Sequence, residues 1–167
     1  MMWPAIAILG FVTLQRLSEL QLAKANTAKL LARGAHEVAP RHYPLIVAVH
    51  IGWLASLWLL APGREIAWPL IGGFALLQLA RLWVIRTLGE RWTTRIIILP
   101  GAPLAAGGPF RFVRHPNYLI VAAEIALLPL AFGLWHIALL FTLLNAAVLA
   151  IRIHAENAAL ASAGPSA

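Results

Sequence analysis

The chain has 167 residues, 61% of them hydrophobic and 11% charged, with a formal net charge of +7 and no cysteine. A soluble domain of this size can neither bury so much apolar surface nor cover itself with so little charge, so a polytopic membrane protein is expected. Without cysteine there are no disulfides, no thiolate catalysis and no cysteine-ligated metal site. The basic residues lie in the gaps between apolar runs, which favours lipid headgroups over nucleic acid as their partner.

Five apolar segments follow in order, and together they predict an all-α, polytopic membrane helical bundle occupying residues 1–160 as a single domain, with 161–167 as a flexible tail. The first runs from about Trp3 to Leu22; it lacks a basic n-region and a small-residue cleavage site, so it reads as a retained helix. Its second half, LQRLSELQLA, is amphipathic, and the Arg16/Glu19 pair there reads as structural. The second segment is about Tyr43–Ala61 and carries His50, about 10 Å in if the helix enters near Tyr43. A buried neutral histidine and a proton-transfer or substrate contact are both open at His50. The third, about Ile66–Leu88, has Arg81 and Arg86 in its last third. Snorkelling accounts for Arg86, whereas Arg81 needs either a buried partner or a site role.

The fourth and fifth segments, about Asn117–Leu134 and about Trp135–Ile153, are short and meet at PLAFGLWH, where Pro129 and Gly133 should kink or turn the chain into a tight helical hairpin. Arginine and lysine are concentrated in residues 23–42 and 89–116. The positive-inside rule then puts the N-terminus outside, and both long loops and the C-terminus in the cytoplasm. A bacterial inner membrane fits the Ala/Leu/Arg-rich composition.

Two stretches concentrate chemistry. In RHPNY, Pro116 fits the first turn of a helix and makes His115 an approximate N-cap. The free N–H groups beyond it, next to the Gly-rich GAPLAAGGPF, suit the carboxylate of a ligand. An ordinary interfacial helix start with Arg, His and Tyr fits the same residues. In NAAVLAIRIHAENAAL, Asn145, Arg152 and Glu156 share one face at about 100° per residue. Arg152 and Glu156 can form an i,i+4 ion pair, or point into a polar pocket where the guanidinium holds a carboxylate and Glu156 accepts from ammonium or hydroxyl groups. Glu124, on the face of Asn117, needs an arginine from a neighbouring helix, Arg81 or Arg152 being candidates. No cluster has metal-ligand spacing, and there is no P-loop or dinucleotide fingerprint.

RHPNY, a hydrophobic hairpin and then RIHAENAAL resemble the isoprenylcysteine carboxyl methyltransferase family of integral membrane enzymes, whose pattern is Arg-His-Pro-x-Tyr followed by Arg-x-x-x-Glu-Glu-x-x-Leu. QRLSEL, GAHEVAPRHYPLIVAVH and LGERWTTRIIILPGAPLAAGGPF look like a compact bacterial branch of it. The resemblance implies S-adenosyl-L-methionine as cofactor and a lipophilic acceptor, either an isoprenylcysteine-like carboxylate or a phenolic lipid. It implies cofactor contacts at Leu104, Ala105, Phe110, His115, Pro116, Asn117, Tyr118 and Glu156, and no metal. Arg152 and Glu156 would be the catalytic pair, with Arg152 and His50 on the acceptor. Phe110 stands where tyrosine is common, and Asn157 replaces the second glutamate of the pattern. Related membrane enzymes that methylate phospholipids share the arrangement. A non-catalytic transport or assembly subunit is the reading from the other class, with Arg152–Glu156 and Glu124 as helix-pairing groups.

Overall fold

The computed structural model describes residues 2–103 and 106–162. It is an all-α bundle of five helices: α1 (Trp3–Ala32), α2 (Tyr43–Leu60), α3 (Trp68–Leu88), α4 (Pro116–Ala131) and α5 (Trp135–Ser162). Helices α1, α2, α3 and α5 are long and apolar enough to cross a membrane. Helix α4 has 16 residues and is about 24 Å long, short of a hydrocarbon core of about 30 Å. Four of the starts carry proline in the first turn, at Pro4, Pro44, Pro69 and Pro116, where the missing N–H has no intrahelical partner to lose.

Two helices outrun their apolar segments. Helix α1 continues past Leu22 because LAKANTAKLLA contains strong helix formers and no Gly or Pro, and it ends only before Gly34, whose φ is 90°. Helix α5 continues past Ile153 for the same reason. The tail expected from residue 161 lies outside the described residues from 163 onward. Helix α4 instead falls short of Leu134: Pro129 occupies its last turn, Gly133 turns the chain at φ 68°, and Leu134 N–H closes onto the Pro129 carbonyl at 2.9 Å. Helix α5 starts at the next residue, so α4 and α5 form the expected tight hairpin, and α3 packs on α4.

The two long loops meet as well. His36–Glu37 (β1) pairs antiparallel with Ile97–Ile98 (β2), and Val38 N–H donates to Ile96 O at 2.9 Å. Two-residue strands carry no periodicity, so nothing in the sequence announces this ladder.

The core has two apolar clusters with a polar layer between them. Leu9, Trp53, Leu57, Leu128, Phe132 and Leu134 belong to the first, while Ala23, Val84, Trp92 and Ile120 form the second. Between them, along the same helices, lie Arg16 and Glu19 of α1, Arg81 of α3 and Glu124 of α4. Each arginine bridges both glutamates. Arg16 reaches Glu19 at 3.1 Å and Glu124 at 2.6 Å; Arg81 reaches Glu19 at 2.7 Å and Glu124 at 3.0 Å. Gln15 donates to Gln78 at 2.6 Å, and Gln78 donates to Glu124 at 2.8 Å, closing a ring. Two positive and two negative charges cancel, which lets the set sit in a low-dielectric interior. Glu124 thus pairs with Arg81 as the sequence allowed, and with Arg16. Arg152, the other candidate, lies elsewhere on α5 and holds different partners.

Candidate active site

The first turn of α4 and the last third of α5 build one centre. His115 is the N-cap of α4 and Pro116 its first residue, as expected, but the expected set of free N–H groups shrinks to that of Asn117, because the Tyr118 and Leu119 N–H groups turn back onto the His115 carbonyl. The cap is made without a side-chain bond, leaving the His115 ring free to stack on Tyr118, with centroids 5.2 Å apart and planes 16° from parallel. Tyr118 then points across to α5. Its hydroxyl donates to Glu156 Oε2 at 2.5 Å and accepts from Arg152 Nε at 2.8 Å. Arg152 and Glu156 therefore do not form the simple i,i+4 pair that their spacing allows; the phenol lies between them. Burial raises the Tyr118 pKa above its usual value, the nearby Arg152 opposes this and Glu156 adds to it, so the hydroxyl stays protonated and the chain runs guanidinium, phenol, carboxylate.

Arg152 is buried, its Nη1 donates to the Thr94 carbonyl at 2.8 Å, and its guanidinium lies 5.5 Å from the Tyr118 ring. Two of its five N–H groups are thus fixed, and among the described residues Nη2 has no protein partner. Glu156 is more open, with a quarter of its side chain (26%) exposed and Oε2 3.9 Å from His115 Nδ1. Asn117, one residue before Tyr118, has its Oδ1 buried without a hydrogen-bond partner among the described residues, an unusual cost in a folded protein.

The far wall comes from the loop ladder. Tyr43, the first residue of α2, exchanges a hydrogen bond with Thr94 Oγ1 at 3.1 Å, and the Arg95 guanidinium lies 4.5 Å from its ring centroid. Glu37 on β1 holds that arginine through both carboxylate oxygens at 2.9 Å. The β1–β2 pairing therefore carries Thr94 to Arg152. Thr94 contributes to Arg152 only its backbone carbonyl, which any residue can supply, so sequence reasoning had no signal for it.

The remaining site expectations fall in three places. Phe110 packs partly buried against the second apolar cluster. Leu104 and Ala105 lie outside the described residues. His50 sits deeper on α2, its Nδ1 bonded to Ile46 O at 2.8 Å and its charged neighbours being Arg16, Arg81 and Glu124, so its surroundings are the polar ring and not the Tyr118 centre. Asn145 is buried on α5 two turns below Arg152.

Residues 70–162, which contain both halves of this centre, match the isoprenylcysteine carboxyl methyltransferase (ICMT) family. The chain belongs to that family. Membership, with four helices able to cross a membrane, points to a membrane methyltransferase. Among curated relatives, the chain is 38% identical over 165 residues to a Bacillus subtilis protein described as "Uncharacterized protein YpbQ", covering 96% of each chain. It is 28% identical over 156 residues to a Haemophilus influenzae protein described as "Uncharacterized protein", covering 90% of this chain and 91% of the other. No solved structure matches it significantly. The family match begins in α3, so α1 and α2 lie outside it, although α1 supplies Arg16 and Glu19 to the ring and α2 supplies Tyr43 and His50.

Proposed function

We propose that the protein transfers a methyl group from S-adenosyl-L-methionine to an oxygen of a lipophilic acceptor, at the centre formed by His115, Asn117, Tyr118, Arg152 and Glu156. The observation that carries this reading is the hydrogen-bonded chain from Arg152 through Tyr118 to Glu156, which joins the two halves of the family pattern across 34 residues. The donor set fits the cofactor. Glu156 offers a partly open carboxylate for an ammonium group, Asn117 Oδ1 an unpaired buried acceptor, and the first turn of α4 one N–H for a carboxylate, that of Asn117, since Pro116 has none and those of Tyr118 and Leu119 donate to the His115 carbonyl. When bound, the cofactor supplies an electrophilic methyl on a sulfonium.

Every other contribution is the protein's own. Arg152 is buried and braced on two sides, so its free Nη2 is aimed without further loss of side-chain freedom, and it can hold an acceptor oxygen that bears negative charge. A carboxylate acceptor, with an ordinary pKa near 4, needs no base. A phenolic acceptor, near 10, must lose a proton. His50 keeps a lone pair on Nε2, because Nδ1 donates to the Ile46 carbonyl, but it stands beside the polar ring and not at the Tyr118 centre, so it is poorly placed to take that proton. Glu124 is held by two arginines and is poorly placed to take a proton. The active centre would face the cytoplasm, with the acceptor entering from the bilayer.

Calorimetry on purified protein in detergent tests the reading directly. Wild type should bind S-adenosyl-L-methionine and its demethylated product. Glu156→Ala should weaken both, while Arg152→Ala should mainly weaken the acceptor. Absence of heat with either nucleoside would end the enzyme reading. Labelled methyl donor supplied to membranes, followed by mass spectrometry of the lipid extract, identifies the acceptor.

A further inference from the structure

The turn leading into α4 has a feature that methyl transfer does not use. Arg111, Phe112, Val113 and Arg114 are four consecutive exposed residues, with Phe112 at 77% among the most exposed large side chains. Phe112 is not adrift: its ring contacts Trp83 of α3, with centroids 6.5 Å apart. The 3-10 turn Gly108–Arg111 is pressed on the same helix, since a Cβ at Gly108, whose φ is 56°, would meet Thr87 Oγ1 at 2.5 Å and Trp83 Nε1 at 3.2 Å. Trp83 is half exposed and lies five residues from the end of α3, about 8 Å along the helix, the depth at which indole rings collect at a membrane interface. Phe112 and Trp83 together thus fix the level of the turn against the bilayer.

Around this aromatic pair stand Arg86, Arg111 and Arg114, all exposed, and among the described residues none has a carboxylate within ion-pair distance. Most other cations are engaged. Lys29 and Arg33 share Glu90, Arg95 holds Glu37, Arg91 donates to the Pro103 carbonyl, and Arg16 and Arg81 belong to the ring. Three unpaired guanidinium groups beside interfacial aromatics match the chemistry of a phosphate diester in a lipid headgroup, which guanidinium grips through two parallel N–H bonds.

We propose that Arg86, Arg111 and Arg114, seated by Trp83 and Phe112, form a binding site for the headgroup of an anionic phospholipid at the rim of the candidate active site. A bound headgroup would brace the turn that leads directly to His115. The inference rests on membrane embedding and not on the proposed methyl transfer, and its test contains no cofactor.

Detergent-solubilised protein is titrated with phosphatidylglycerol or phosphatidylcholine and bound lipid is counted by native mass spectrometry. Wild type should retain phosphatidylglycerol in preference to phosphatidylcholine. Each single Arg→Ala change at the three positions should cost about fivefold in affinity, and the triple alanine variant on the order of 100-fold. Arg86→Lys/Arg111→Lys/Arg114→Lys keeps the charge and loses the planar fork, so it should fall between. A charge-matched control, Lys24→Ala/Lys29→Ala/Arg33→Ala, should stay close to wild type. Equal retention by the triple alanine variant, an equal loss in the control, equal binding of the zwitterionic lipid, or displacement by an equimolar amount of inorganic phosphate would each overturn the proposal. Should the triple variant lose helicity by circular dichroism, the single and lysine variants decide the question.

Discussion

The protein uses arginine and glutamate in two regions, with opposite outcomes. In the ring, Arg16, Glu19, Arg81 and Glu124 turn wholly toward one another between two apolar clusters. At the centre between α4 and α5, Arg152 and Glu156 are kept apart by the Tyr118 hydroxyl, and each retains hydrogen-bonding capacity that no described residue consumes. A buried set of charges is tolerated when it neutralises itself, and such a set has little left for a ligand. A set that is braced but unfinished can recognise something else. The ring also retains two buried unpaired atoms, Arg16 Nε and Gln15 Oε1, but every one of its charges faces its opposite.

The largest test of this contrast removes one ring charge. Arg81→Ala leaves Glu19 and Glu124 sharing a single arginine and should destabilise the fold by about 3–5 kcal/mol, read as a drop in unfolding midpoint in micelles. Replacing all four charges with apolar residues of similar volume should recover most of that loss. If Arg81→Ala costs under about 1 kcal/mol, the ring is not what holds α1 to α3 and α4.

Glu156→Ala is the counterpart at the centre between α4 and α5. Loss of a charge-assisted contact should lower cofactor affinity by about 10–100-fold, while the unfolding midpoint hardly moves. A large stability change with unaltered affinity would move Glu156 into the same category as the ring. Tyr118→Phe is smaller and sharper. It deletes only the bridging hydroxyl, so Arg152 and Glu156 can close the direct pair; cofactor affinity should fall about tenfold or less, and a variant that binds as wild type would show that the bridge has no part in organising the centre. Smallest of all, Arg95→Ala removes an exposed pair with Glu37 and should cost under about 1 kcal/mol of stability, with a modest rise in acceptor KM through the loosened Thr94 loop.

Much of this arrangement is legible in the sequence. Pro116 after His115 specified a helix start, because proline's fixed φ and missing N–H suit the first turn best. Pro129 and Gly133 specified a turn, although α4 ended earlier than its hydrophobicity suggested, since hydropathy marks burial and not hydrogen bonding. Helix α1 outruns its apolar segment for a related reason: a helix that leaves the membrane keeps its propensity while losing its apolar signal. Arg81 was recognised as needing a partner, but its ring required Arg16 and Glu19, more than sixty residues away. Glu124 could equally have met Arg152 by helix depth alone.

The sequence by itself determined the helices, their starts and the residue types that must be paired or used, because those follow from local backbone chemistry and the cost of charge in an apolar medium. Tertiary structure alone decided which arginine serves which glutamate, and it set Tyr118 between Arg152 and Glu156. Those outcomes depend on the rotation and separation of helices far apart in the chain, and side-chain spacing along any one helix carries no information about them.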